Sequence, residues 1–353
     1  MLRLFMLSLL ALGALRAAPM TVCLPTENRH LLTGQPERFY MYVDRTFEGT
    51  TSKPWEGGGF GFVRTPIRIN GQVVLKQFHE GIDIAPVKRD KAGNPLDLIS
   101  SIGDGTVVHV SPISGRSNYG KYVVVEHAWE NSLVYSLYAH LAEITCQVGD
   151  GVKAGGLLGR MGYTGAGINR TRAHLHLELG LMMSTRYDDW GQATGKGLNH
   201  HGNFNGMNFA GGDVARFFLD REKNPELKFS EFVAATPVYF KVAVPATGPL
   251  DLVRRYPWLL AASQPEAAEP AAPSSWVIDF SATGLPIRVA PSQTKVEAPI
   301  VTQVLPSEIP HRYLTRNLVT GEGNKASLTP GGRQLVDLLT DHFPAKAAPS
   351  PKP

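Results

Sequence analysis

The segment Arg172–Gly180, RAHLHLELG, alternates leucine with polar residues at a period of two. That period marks an extended strand, in which residues two apart project from the same face. Leu175 and Leu177 then share the core face, and His174 and His176 look together into a groove. Two imidazoles fixed on one face by backbone geometry suit a metal ion or an acid–base pair. The same H-x-H is also the pattern of two satisfied core histidines, so partners elsewhere in the chain decide its meaning.

The neighbouring sequence supports the strand. From Ile99 to Leu179 short alternating runs recur, among them GTVVHV, KYVVVEH and SLVYSLYAHL, with glycine between them. The stretch from Gln147 to Gly167 is a chain of turns around one short strand, Leu157 to Met161. Several strands at this spacing without helical crossovers predict a mainly β protein with an antiparallel sandwich or barrel-like core.

Two further motifs answer the histidines. In FHEGIDIAP, Phe78–Pro86, His79 and Asp83 are four apart around Gly81. Helix and strand would both place them on one side, and Gly81, Ile82, Ile84 and Pro86 argue for extended chain. With one histidine of the H-x-H they make three N/O ligands and leave a fourth position open, the arrangement of a catalytic zinc. In YSLYAHL, Tyr135–Leu141, alternation puts Ser136, Tyr138 and His140 on one face.

The set H-x-x-x-D in HEGIDIAP, Y-x-H in YAHL and H-x-H in TRAHLHLELG, preceded by the turn MGYTGAG, resembles the lysostaphin and LytM-type zinc metallopeptidases of peptidase family M23. These are peptidoglycan endopeptidases with a β-rich fold, and the resemblance runs from about Phe78 to Met182. It implies one Zn2+ held by His79, Asp83 and His176, with His140 and His174 as catalytic histidines off the metal, either of which serves as general base. It implies stem and cross-bridge peptides of peptidoglycan as the substrate. Family members that regulate amidases without cutting typically lack some of these residues, whereas all are present here. A loop from Ala85 to Gly105, longer than the family's usual one, is expected to reshape one wall of the groove.

Other residues read as structural. His127 and His109 are expected as strand residues, and His200 and His201 as loop residues close in sequence to the core. His30, His311 and His342 have no partner motif. Glu80 and Glu178 flank ligand positions and are expected to point away from the neighbouring histidine, toward solvent or an outer shell. Asn118, Tyr119 and Gly120 sit at a turn on the groove rim, as substrate contacts or as turn chemistry. Cys146 as the nucleophile of a cysteine peptidase is the competing chemistry, but it precedes a turn, where nothing lowers its pKa. Cys23 and Cys146 pair in one disulfide or stay as two buried thiols.

The 353 residues suffice for one large domain with an appendage. Gly 36 and Pro 26 favour turns and short strands over a helical bundle. Met1–Pro19 reads as an export leader, with Arg3 ahead of the apolar run Leu4–Leu15 and small residues at Ala17–Ala18. Export to the periplasm, cell envelope or outside is therefore expected, with residues 1–18 removed. Removing Arg3 and Arg16 takes the net charge from +4 to +2. No basic run is interleaved with aromatics, which argues against nucleic acid as a partner. No later run is long enough to span a bilayer. We expect an N-terminal arm over 19–78 and the metallopeptidase core over 79–215. A C-terminal α+β region over 216–343 follows, with a linker over 264–275 and a disordered tail over 344–353. In that region Phe240 lies in a strand, Pro257 interrupts a helix, Thr283–Gly284 turns a hairpin, and Thr329 caps a helix from Pro330 to Phe343. A non-catalytic wall-binding or amidase-regulating module of the same fold is the alternative reading.

Overall fold

The computed structural model describes residues 20–261 and 272–343. The expected leader, residues 264–271 of the expected linker and the tail 344–353 lie outside the described residues.

The arm carries one helical turn, α1 (Pro36–Phe39), and two hairpins, β1 (Arg45–Phe47) with β2 (Thr50–Ser52) and β3 (Gly61–Ile69) with β4 (Gln72–His79). A bend at Glu80–Gly81 leads into β5 (Ile82–Ile84). The next strands are β6 (Leu98–Ser100), β7 (Gly105–Ser111), β8 (Tyr122–Trp129), β9 (Ser132–Ala139) and β10 (Leu141–Ile144). They are followed by β11 (Gly151–Val152), β12 (Leu157–Met161) and β13 (Leu175–Met182). The chain continues through α2 (Tyr187–Ala193), β14 (Phe209–Gly211), α3 (Val214–Lys223), α4 (Phe229–Ala234), β15 (Phe240–Pro245) and α5 (Asp251–Arg255). It ends in β16 (Ser275–Phe280), β17 (Pro286–Ser292), β18 (Ile300–Val304), β19 (Val319–Thr320), β20 (Ser327–Leu328) and α6 (Pro330–Leu339).

The central sheet has seven strands in the order β11-β7-β8-β9-β13-β14, with β5 also paired to β13, and every pairing is antiparallel. It is an open sheet, so the barrel-like alternative does not hold. Valine and tyrosine make β8 and β9 good strands, and Glu130 and Asn131 join them with φ of 52° and 58°. Two consecutive positive φ values define the type I′ turn that matches strand twist.

The sheet's two faces differ. Leu175, Leu177, Leu179 and Leu181 join Val123, Val125, Val134 and Tyr138 in the main core, as alternation predicts. The opposite face carries a smaller cluster of Tyr122, Val124, Tyr135, Leu137, Ala139, Met182 and Phe209. His176 and Glu178 belong to this second face by the strand period. The main core runs on without a break into Phe240, Val242, Ile278, Phe280, Val289 and Val336 of the C-terminal region. That region is a four-stranded antiparallel sheet, β17-β16-β15-β18, accompanied by short helices.

The local expectations there hold with adjusted bounds. Gly284 turns the β16–β17 hairpin at φ 86°. Pro257 ends the α5 helix, since it cannot donate to the helix ladder, and opens a 3-10 turn over Pro257–Leu259. The Thr329 hydroxyl accepts the Gly332 N–H at 3.0 Å, capping α6. That helix stops at Leu339 and not at Phe343. Ser275, expected at the end of the linker, is the first residue of β16. Both cysteines are free, which leaves the disulfide alternative aside. Burial pushes both thiols up, the reverse of an activated nucleophile.

Candidate metal centre

The site is assembled where β4, β5 and β13 meet. His79 ends β4 and Asp83 is the middle residue of β5, which pairs with β13 in the register Asp83↔His176. The residue between them has to be glycine. A Cβ on Gly81 would lie 2.3 Å from the Leu177 carbonyl oxygen and 3.0 Å from Glu178 Cγ. The bend therefore presses against β13 and carries His79 and Asp83 onto His176.

Three ligand atoms converge there. His79 Nε2 lies 3.1 Å from His176 Nδ1 and 3.1 Å from Asp83 Oδ1, and His176 Nδ1 lies 3.0 Å from Asp83 Oδ1. Hydrogen bonds on the far sides of the rings set the tautomers. His79 Nδ1 is 2.7 Å from the Gly59 carbonyl and donates to it, which leaves Nε2 with a lone pair. His176 Nε2 is 3.0 Å from Glu178 Oε1 and donates to it, which leaves Nδ1 with a lone pair. Two lone pairs and a carboxylate oxygen thus face one another, all three side chains buried. Such a triangle suits a metal ion, or a proton on His176 Nδ1 shared with Asp83. Ligands about 2.0–2.1 Å from a tetrahedral zinc sit roughly 3.3 Å apart, close to the observed edges. The donor set of two imidazoles and one carboxylate therefore fits zinc in both chemistry and size.

The electrostatics agree. Burial alone would raise Asp83, but His174 and His79 hold its carboxyl well below the usual range. Burial would lower His176, but the Asp83 and Glu178 carboxylates on its two nitrogens outweigh it and push it up to about 10. Proton and metal compete for the same Nδ1.

His174 and His140 stand beside the triangle. His174 Nδ1 donates to the Arg172 carbonyl at 2.6 Å, and its Nε2 lies 3.3 Å from Asp83 Oδ1. His140 Nδ1 donates to the Thr164 carbonyl at 2.8 Å. The two rings pack edge-on with centroids 4.7 Å apart. Burial first, then the adjoining His174 and His176, holds His140 down to about 3, so it is neutral and able to accept a proton.

His140 departs from the strand face expected of it. Ser136 and Tyr138 face the main core, where the Tyr138 hydroxyl accepts the Ile102 N–H at 2.8 Å. His140 does not share their face: its φ of 63° breaks the alternation between β9 and β10 and turns the imidazole toward His174. Glu178 takes the expected outer-shell role but does not face away from His176. It lies two residues from His176 on the same strand face, is buried, and accepts from both His176 and the Tyr119 hydroxyl, the latter at 2.5 Å. Strand parity alone would have found it. Tyr119 belongs to a turn closed by Gly120 N–H to the Ser117 carbonyl at 3.0 Å, so turn chemistry and site contact coincide there.

Arg64 was not legible in the motifs. It comes from β3, and its Nη2 lies 2.5 Å from Asp83 Oδ2 and 3.2 Å from each nitrogen of His79. Oδ2 of Asp83 is thereby engaged and Oδ1 left to the triangle. Two cavities open beside this centre. One, of about 990 Å³, is bordered by Phe78, Glu80, Tyr119, His200, His201 and Arg316. The other, of about 490 Å³, reaches Asp83 from the arm side.

The remaining histidines stay outside the triangle. His127 is buried between the Asp104 carbonyl and the Ser136 hydroxyl, and burial lowers it to about 4. His201 is buried, unlike a solvated loop residue, and packs edge-on against His109 and tilted against Tyr122. His311 bonds the Tyr239 hydroxyl at 2.9 Å.

An antiparallel β domain with a His–Asp–His ligand set and two further histidines beside it has the donors of a metal site. Residues 77–187 match the model of peptidase family M23, so over this segment the chain is similar to that family. It is 32% identical over 120 residues to lysostaphin of Staphylococcus simulans, covering 34% of this chain and 20% of lysostaphin. It is also 32% identical over 120 residues to glycyl-glycine endopeptidase ALE-1 of Staphylococcus capitis, covering 34% of this chain and 28% of ALE-1. The match thus spans under a third of each relative's own length. Among solved structures, the catalytic domain of S. simulans lysostaphin aligns at 22% identity with a TM-score of 0.28, covering 50% of this chain and 91% of that one. Among the described residues no helix is long and apolar enough to cross a membrane.

Proposed function

We propose that this chain is an exported zinc endopeptidase that hydrolyses peptide cross-links of bacterial peptidoglycan. Its metal site is His79, Asp83 and His176, and its catalytic residues are His140 and His174. The domain plan that goes with this reading is an arm over 19–78, the peptidase core over 79–215 and an appended region over 216–343. The observation that carries it is the triangle of two imidazole lone pairs and one carboxylate oxygen, with edges of 3.0–3.1 Å.

Bound in that triangle, zinc would supply Lewis acidity toward a carbonyl oxygen and toward water. The protein's part is proton handling. His140 commits Nδ1–H to the Thr164 carbonyl, which leaves Nε2 as acceptor; His174 commits Nδ1–H to the Arg172 carbonyl, and its Nε2 lies 3.3 Å from Asp83 Oδ1. A neutral imidazole there takes the proton of the attacking water, and its protonated form stabilises the oxyanion and returns the proton to the leaving amine. Glu178 and Gly59 hold the tautomers of His176 and His79 throughout.

Incubating purified sacculi with zinc-loaded protein, with and without chelator and alongside His176→Ala, tests the proposal, with released fragments identified by mass spectrometry. We expect cleaved cross-links from the wild type alone. Cleavage that survives chelator or the substitution would refute the zinc assignment. Binding without cleavage by loaded wild type on several wall types would favour a wall-binding or regulatory module.

A further inference from the structure

The cavity on the arm side of Asp83 is rich in unpaired positive charge. The residues that matter there are Asp44, Arg45, Arg64, Gln77, Asp83 and Arg172. Arg64 is occupied by Asp83. Arg45 and Arg172 are not: neither has an ion-pair partner among the described residues. Each is instead tied by one nitrogen to a carbonyl oxygen, Arg45 Nη2 to Val63 at 2.6 Å and Arg172 Nη1 to Gly167 at 2.9 Å. Arg172 Nε is buried with no hydrogen-bond partner. Asp44 is the one acid in the cavity besides Asp83, and it is exposed and pairs with neither arginine.

Arg45, anchored at Nη2, keeps Nε and Nη1 for a carboxylate, and Arg172, anchored at Nη1 with Nε buried, adds Nη2 beside it. Anchoring also reduces the ordering cost of binding. Arg45 and Arg64 come from the arm, outside the matched segment 77–187. A neutral glycine bridge would leave this charge unanswered.

We propose that the arm-side cavity is a carboxylate-binding subsite, in which Arg45 and Arg172 select peptides with a free carboxylate next to the scissile bond. The inference rests on the endopeptidase reading above. The carboxylate comes either from the side chain of a diamino acid in the cross-link or from the free C-terminus of a stem peptide.

Four synthetic substrates separate these sources: a diamino-acid cross-link with its side-chain carboxylate free or amidated, and a stem with its C-terminus free or amidated. With the zinc-loaded full chain, a free carboxylate in at least one pair should raise kcat/KM by about 10- to 100-fold over its amide, the worth of a charge-assisted pair. The pair that shows the ratio names the source. In Arg45→Gln/Arg172→Gln the ratio should collapse toward unity through KM. Arg68→Gln, an exposed hairpin arginine paired with Glu48, should keep it. Melting curves establish that the double variant is folded, and Arg172→Lys should retain an intermediate ratio. Calorimetric binding of the same four peptides to chelated protein reads the subsite without hydrolysis. If nothing is cut but carboxylate peptides still bind more tightly than their amides, the endopeptidase reading fails and the subsite stands. Equal binding and equal rates within both pairs, or a ratio that persists in the double variant, would overturn the subsite.

Discussion

Replacing Glu178 with glutamine changes one charge on a buried side chain and should be felt at the metal. The carboxylate accepts two hydrogen bonds, from His176 Nε2 at 3.0 Å and from the Tyr119 hydroxyl at 2.5 Å. The first fixes which nitrogen of His176 carries the proton. Glutamine can accept only through its carbonyl and more weakly, so the proton can move to Nδ1, the nitrogen that faces His79 and Asp83. A protonated Nδ1 cannot ligate. Loss of such outer partners costs about 10- to 100-fold in metal affinity, or roughly 1.4–2.7 kcal/mol. Tyr119→Phe removes the second bond and leaves the tautomer alone, so its affinity should stay within about threefold of wild type by this logic. The assay is zinc competition against a chromogenic chelator at fixed pH, with a melt of each metal-free protein to separate misfolding from lost binding. Equal affinities for wild type and Glu178→Gln, or a larger loss in Tyr119→Phe, would refute the tautomer argument.

Three other outcomes follow from the geometry. His140→Ala and His174→Ala should each lower kcat by about 100-fold or more while zinc content stays at one per chain, whereas Asp83→Ala and His176→Ala should lose the metal itself, as metal analysis of dialysed protein will show. Gly81→Ala forces a Cβ onto the Leu177 carbonyl at 2.3 Å; it should cost about 1–3 kcal/mol in urea unfolding and weaken zinc binding with it. His127, lowered to about 4 by burial, is neutral when folded and takes up a proton when unfolded. Its contribution is intact above the unfolded value of about 6.5 and is lost as pH falls from there through about 4, up to roughly 3 kcal/mol; the difference between wild type and His127→Gln in unfolding free energy should therefore shrink over that range.

What could be read from the chain depended on how local the cause was. Parity along RAHLHLELG correctly assigned the leucines to the core, because the rule needs only an unbroken strand. The same rule failed at His140, where a left-handed residue reverses the facing and no neighbouring glycine announces it. For Glu178 the pattern held and the reading did not follow it: positions 176 and 178 share a face. The convergence of His79 and Asp83 was legible from their spacing of four, although the chain reaches it through a bend at Glu80–Gly81 and not as one continuous strand. Arg64 was out of reach, since its place at Asp83 depends on the β3–β4 register, a long-range pairing with no local signature. The single apolar core spanning both regions was equally hidden, because it depends on which faces meet and not on any one segment's period.

The contacts at the end of β13 bear on how the molecule meets its substrate. Arg255 donates to the Met182 and Met183 carbonyls, and the Tyr256 hydroxyl accepts the Met182 N–H at 2.9 Å. From the other side the Trp190 indole donates to the Gln334 carbonyl at 3.0 Å. The strand that carries His176 is thus fastened directly to the C-terminal region. A targeting module on a flexible tether raises local concentration while its enzyme samples many orientations. Here these contacts tie the two together, so under the proposed endopeptidase function any surface gripped by the C-terminal sheet would also set the angle at which the groove arrives and the bonds it reaches.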